Sequence, residues 1–273
     1  MLNLKLDSIE VNSIEIYTSS SVVDSNYSND INHILNRLYE LKKNRRIDSV
    51  KDEELINPNE LETLVIKAIK SRNISIKFQK IENNGENILE ASVKLLDDSG
   101  NYIHQKEFIG VINRLGMSKD FDMVILELLV NILNRYGDIT LSIKFSTISI
   151  RHKEFYDRLI SLVSDKSDLS KRLIFIISEK DYYRDIKRFN SHLNNYRRLG
   201  IKIVLDNFGN DTISLAYFKN LDIDIVRFDG SFTKNITQFN SRNLLFGLIT
   251  AAEKIGYKSW IKWLRMKRVT KMQ

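Results

Sequence analysis

The run Gly200-Ile201-Lys202-Ile203-Val204-Leu205-Asp206-Asn207-Phe208-Gly209 holds a helix stop, a buried strand and a turn in succession. Residues 182–199 before it carry a helical pattern, and Gly200 can take the left-handed backbone that closes a helix without steric cost. Residues 201–205 have the β-branched content and length of a strand, and Asp206 places an ionisable group at its end. The same order of helix, glycine and strand recurs at Gly137 before residues 139–145 and at Gly256 before residues 257–263. Further strands are expected at 74–81, 88–95, 173–178 and 223–228, and further helices at 60–70, 117–136, 152–163 and 243–255.

Repeated β-α units in a domain of this length point to a parallel sheet, either a closed (β/α) barrel or a doubly wound open sheet. The strand ends favour the barrel. Lys144, Glu179 just past Ser178, Asp206, Arg227 with Asp229, and Lys262 each stand where a strand finishes. A barrel builds its site on that rim, from the ends of several strands. Contact with water explains one or two polar strand ends; five in a row call for a site.

The 273 residues, 42% of them hydrophobic, suffice for one sizeable core plus a small appendage. The chain has no cysteine, which excludes disulfides and thiolate metal sites and suits a reducing compartment. No apolar run reaches the roughly 18 residues of a membrane span, and no signal-peptide pattern follows Met1. A cytoplasmic location is therefore expected. Of the net charge of +7, Lys258, Lys262, Arg265, Lys267, Arg268 and Lys271 contribute six positive charges in a stretch without an acid. This reads as a solvated basic end. No zinc-ligand pair or aromatic RNA-binding pattern accompanies it, so a nucleic-acid partner is not expected. His33, His104, His152 and His192 lack metal-ligand spacing, and Trp260 and Trp263 read as packing residues.

Several further stretches follow one another in the order of known signature motifs. Ile88-Leu89-Glu90-Ala91-Ser92 resembles the Glu-Ala-Leu signature, Lys77-Phe78-Gln79-Lys80-Ile81 the preceding Phe-Gln-Pro-Ile segment, and Glu107-Phe108-Ile109 the later Glu-Phe-Ile. Ser142-Ile143-Lys144-Phe145-Ser146 is similar to Val-Asn-Leu-Ser, and Phe175-Ile176-Ile177-Ser178-Glu179 to Glu-Ile-Thr-Glu. Leu205-Asp206-Asn207-Phe208-Gly209 resembles Leu-Asp-Asp-Phe-Gly. Val226-Arg227-Phe228-Asp229-Gly230-Ser231-Phe232 resembles Leu-Lys-Ile-Asp-Arg-Ser-Phe. Together these motifs resemble the EAL family of cyclic di-GMP phosphodiesterases; the resemblance covers residues 59–264 and implies an α/β fold, a TIM-like (β/α) barrel of EAL type whose first strand runs antiparallel to the rest. Residues 1–58 form a small α+β segment in which Ile14-Glu15-Ile16, Ser21-Val22, a helix at 29–43 and Lys42-Lys43-Asn44-Arg45-Arg46 resemble the end of a GGDEF domain, without its Gly-Gly-Asp/Glu-Glu-Phe motif. A helical extension with a polar loop is the other reading. Residues 265–273 form a basic tail. A barrel also needs a closing eighth strand, and the sequence leaves two explanations for the one missing after Trp263: a shifted reading frame from about Leu264, or an N-terminal segment that covers the gap.

In the family, two divalent ions held by carboxylates and an asparagine activate a water that opens cyclic di-GMP to linear pGpG. The resemblance puts Glu90, Glu179, Asp206 and Asn207 at metal positions, Lys144 at the asparagine position, Arg227 at the catalytic lysine, Lys262 at a later glutamate, and Gln79, Lys94 and Asp229 at ligand-binding positions. An ammonium has no lone pair for a metal, so Lys144 and Lys262 are not expected to ligate. Asn207 removes one charge from the bridging pair. The carboxylates Glu90, Glu179, Asp206 and Asp229 face the fixed cations Lys144, Arg227 and Lys262, which leaves the set near neutral before any metal enters. Each unit like-charge contact at about 5 Å costs on the order of 3 kcal/mol at an effective dielectric of about 20. The expectation is a degenerate, non-hydrolytic domain in which salt bridges stand in for metals, with a regulatory or protein-interaction role. No cofactor is expected, and Mg²⁺ or Mn²⁺ only if activity survives. A cyclic di-GMP receptor and a residually active phosphodiesterase are the alternatives, and a protein partner or homodimer is a family-based expectation.

Overall fold

The computed structural model describes residues 5–6, 9–10, 20–23, 58–81, 86–97, 100–164, 166–178, 185–209 and 218–262. Near the N-terminus β1 (Lys5–Leu6) and β2 (Ile9–Glu10) pair antiparallel, and β3 (Ser20–Val23) belongs to the main sheet. Then follow α1 (Pro58–Ser71), β4 (Ser75–Ile81), β5 (Ile88–Leu96), β6 (Tyr102–His104), α2 (Gln105–Arg114), α3 (Ser118–Arg135) and β7 (Thr140–Lys144). The rest comprises α4 (Thr147–Arg151), α5 (Lys153–Val163), α6 (Ser167–Lys171), β8 (Leu173–Ser178), α7 (Ile186–Arg198), β9 (Lys202–Phe208), β10 (Ile225–Phe228), α8 (Gly230–Lys234), α9 (Phe239–Ile255) and β11 (Lys258–Lys262).

The main sheet runs in the order β3, β11, β10, β9, β8, β7, β5, β4, with β6 added to the far end of β5. From β5 to β11 the neighbours are parallel, whereas β4 is antiparallel to β5, as expected for the first barrel strand. The other flank is occupied by β3, which lies antiparallel on β11 through Ser259↔Val23 to Lys262↔Ser20 and comes into contact with β4. A strand from the N-terminal segment thus stands where the sequence left a gap. The helix expected at 29–43 and the basic tail at 265–273 lie outside the described residues.

Alternation along each strand divides the interior into two cores. Leu173, Phe175 and Ile177 of β8, Ile203 and Leu205 of β9, and Val226 and Phe228 of β10 face outward into the layer packed by the helices. Phe145, Phe155, Phe175 and Tyr196 meet there in tilted and edge-to-face contacts with ring centroids 4.9–6.5 Å apart. Ile174, Ile176, Val204 and Ile225 face inward and form a separate cluster with Ile81, Ile88 and Trp260. That cluster fills the lumen as side-chain layers fill a barrel. Trp260, read as a packing residue, is buried there.

Gly256 and Gly200 adopt the expected left-handed backbone at φ 99° and 89°. Gly137 does not: α3 ends on extended Tyr136 and turns without it. The sequence reading also missed β6, α2, α4, α6 and α8. All but the ten-residue α2 are three to five residues long, and α4 and α8 begin just after strands, held by Ser146 and Asp229 accepting from Ile148 N and Ser231 N.

The β9–β10 ladder carries one irregularity. Leu205 pairs with Val226 and Phe208 with Phe228, so Asp206 and Asn207 together oppose Arg227. The extra residue is absorbed by Asn207 at φ 62°, a left-handed conformation that asparagine tolerates better than most residues. Gly209 follows at φ 88°, and a Cβ there would come within 2.7 Å of the buried Phe232 ring. Gly209→Ala is therefore expected to cost about 1–3 kcal/mol by urea denaturation. Gly110→Ala, in open space on α2, should be neutral or slightly stabilising.

Candidate active site

Above the apolar floor of the lumen, the inward positions turn polar. Glu90 follows Ile88 on β5, Asp206 follows Val204 on β9, Arg227 follows Ile225 on β10, and Ser142 sits opposite Glu90 on β7. Gln79 of β4 is the ladder partner of Glu90 from the other side.

Arg227 joins this storey together. Its Nε donates to Asp206 Oδ1 at 2.7 Å and its Nη1 to Glu90 Oε2 at 2.6 Å. Three strands separate β10 from β5 in the sheet, so the second bond reaches across the lumen. The Arg227 side chain is 3% exposed, Asp206 5% and Glu90 23%. Burial by itself pulls a guanidinium's pKa down, but the carboxylates of Glu90 and Asp206 outweigh it and hold Arg227 above the ordinary arginine value. The bulge in β9 sets up this contact, and Asn207 N adds a bond to Asp206 Oδ1 at 2.8 Å. Burying these charges is costly, and the cost is offset only because each finds an oriented partner; removing one partner of such a set typically costs 3–5 kcal/mol.

The other sequence-predicted residues spread around this centre. Asp229 caps α8, its Oδ1 accepting from Ser231 N at 2.8 Å, while its own N–H donates to Phe208 O at 3.0 Å. Lys144, exposed at the end of β7, lines a cavity of about 480 Å³ with Lys106, Asp122, Ser146 and Ser178. Asp122 is buried there and accepts from Ser146 N at 2.9 Å. Glu179 lies outside the described residues, and Lys262 closes β11 with its side chain likewise outside them.

Gln79 and Lys94 line a second cavity of about 480 Å³, with Lys77, Tyr102, His104 and Lys106. Lys94 Nζ lies against the His104 imidazole, 3.0 Å from Nε2, and Lys77 Nζ sits 4.2 Å from the centre of the Tyr102 ring. The sequence reading found Gln79 and Lys94 but missed the other four. Lys77 was open to discovery, since it lies two residues before Gln79 on the same strand face. His104 and Lys106 come from β6 and the start of α2, which carried no signal of their own.

One oxygen of Glu90 and one of Asp206 accept from Arg227, and among the described residues no three histidine or acidic side chains converge as a metal cluster.

The EAL domain family profile matches residues 64–268. A curated relative from Borreliella burgdorferi, cyclic di-GMP phosphodiesterase PdeA, is 26% identical over 76% of this chain and 32% of its own length. The chain spans well under half the length of the first curated relatives it matches, between 20% and 41%. Among solved structures, Vibrio cholerae LapD S helix-GGDEF-EAL bound to c-di-GMP superposes with TM-score 0.66 at 21% identity, over 78% of this chain and 53% of that one. The FimX EAL domain from Pseudomonas aeruginosa bound to c-di-GMP gives 0.65 at 18% identity, over 74% and 93%. With a barrel whose first strand is reversed, the family motifs in order on its strands and a profile match over most of its length, the chain belongs to the EAL domain family.

Proposed function

We propose that this chain is a non-hydrolytic EAL domain that serves cyclic di-GMP signalling as a regulatory or protein-interaction domain. The observation that supports this reading most is the Arg227 guanidinium held between Glu90 and Asp206. Metal-assisted hydrolysis needs a site that is strongly negative before the ions enter and oxygens free to bind them. Here two of the carboxylates at family metal positions are tied to an internal cation, and the residues do not fit a pair of divalent ions. Lys144 at the asparagine position adds another positive charge at the rim of the same face.

A second reading, a cyclic di-GMP receptor, is favoured by the cavity lined with Lys77, Gln79, Lys94, His104 and Lys106. Lysine ammonium groups hold phosphate oxygens without a metal, and Gln79 offers an amide for hydrogen bonding. Binding of this kind is separable from hydrolysis.

Incubation of the full chain with cyclic di-GMP and Mn²⁺ or Mg²⁺ is expected to yield no linear pGpG above the protein-free control. Product that vanishes in Glu90→Gln would overturn the non-hydrolytic reading. In calorimetry, a receptor should bind cyclic di-GMP equally in EDTA and in Mg²⁺, with Lys94→Gln weakening it about tenfold. Absence of binding heat rejects the receptor and leaves the protein-interaction role.

A further inference from the structure

We infer that Arg227 is the resident counter-cation of this barrel: it takes the position between Glu90 and Asp206 that a divalent ion would need, and it makes the structure of the site independent of metal. The inference deepens the non-hydrolytic reading and rests on it.

Four observations converge. The guanidinium comes from an inward position of β10 and contacts one oxygen from each of two carboxylates on opposite sides of the lumen, at 2.6 and 2.7 Å. An ion coordinated by those two oxygens would occupy the space that the guanidinium fills. Beneath lie Ile174, Ile176, Val204 and Ile225, aliphatic side chains with no polar group to neutralise a carboxylate from below. Arg227 is itself 3% exposed, so bulk water does not screen the contact. Finally, the β9 bulge spends an extra residue, and a left-handed Asn207, opposite Arg227 at the point where Asp206 meets it.

The shape of the side chain matters as much as its charge. A planar guanidinium presents N–H groups in several fixed directions and can serve two carboxylates at once, whereas an ammonium is a point charge on a flexible stem. Lysine's ammonium has three donors but lacks the fixed planar fork that meets two carboxylates in set directions. Arginine is therefore the residue suited to a cross-lumen tie, and its two bonds turn a pair of acids with a catalytic ancestry into a structural strut. The tie joins β5, near the start of the barrel, to β9 and β10, near its end.

Thermal unfolding of the full chain tests this. The wild type should unfold at the same temperature in EDTA and in millimolar Mn²⁺. Arg227→Met, close in length but uncharged, should lower the midpoint by roughly 10 °C by taking the guanidinium away from buried Asp206 and half-buried Glu90. The triple variant Glu90→Gln, Asp206→Asn, Arg227→Met removes all three charges and should recover at least half of that loss, because nothing uncompensated remains. Three results would overturn the inference: Arg227→Met as stable as the wild type, a triple variant no more stable than Arg227→Met, or a saturable Mn²⁺ stabilisation of the wild type that is lost in Glu90→Gln. Should Arg227→Met fail to fold, a folded triple variant together with the Mn²⁺ titration of the wild type supports the inference, and an unfolded triple variant contradicts it. The readout is stability, so it is independent of the product assay: pGpG formation would refute the non-hydrolytic reading, whereas these results bear on the cation at the site.

Discussion

A carboxylate held above an apolar floor inside a curled sheet must be neutralised by something within reach, and that constraint organises this molecule. The lumen of the barrel is filled from below by isoleucine, valine and Trp260, so the acids of the next storey cannot discharge into water on that side. Arg227 meets the requirement from within the chain. One of its bonds joins neighbouring β9 and the other reaches β5 across the lumen, and through them the polar storey becomes part of the scaffold.

The surrounding structure serves that contact. Outward residues of β8, β9 and β10 pack against the helices and hold the strands in register, which leaves the inward positions free to carry Glu90, Asp206 and Arg227. The bulge at Asp206 and Asn207 advances β9 by one residue against β10, and Gly209 lets the chain leave the strand beneath the Phe232 ring. Asp229, one residue past β10, starts the next helix instead of facing the arginine. The edge of β11 is covered by β3, so the sheet order runs from the N-terminal segment round to β4.

Much of this was legible in the sequence, for physical reasons. The apolar, β-branched run of β8 and the strand-glycine rhythm around β9 reflect a sheet covered on both faces, and strand ends that carry charge mark the rim. A near-neutral charge balance for the site was an expectation counted from residues alone. What the count could not tell was which cation does the neutralising. Lys144 and Arg227 look equivalent on paper, but one ends its strand in the open and the other lies an alternation step above Ile225, inside. The basic cavity was half visible, through Gln79 and Lys94; His104 and Lys106 enter it from a three-residue strand and a helix start that periodicity does not reveal. Gly137 shows the opposite error, a residue suited to a left-handed stop that the chain does not use that way.

Family membership follows from motifs and fold; the replacement of metal by arginine is the claim peculiar to this chain. Crystals grown in Mn²⁺ and measured at the manganese absorption edge address it directly. Guanidinium density bridging Glu90 and Asp206 with no anomalous peak between them is expected, and a manganese peak coordinated by those two carboxylates, with Arg227 displaced, would refute the replacement.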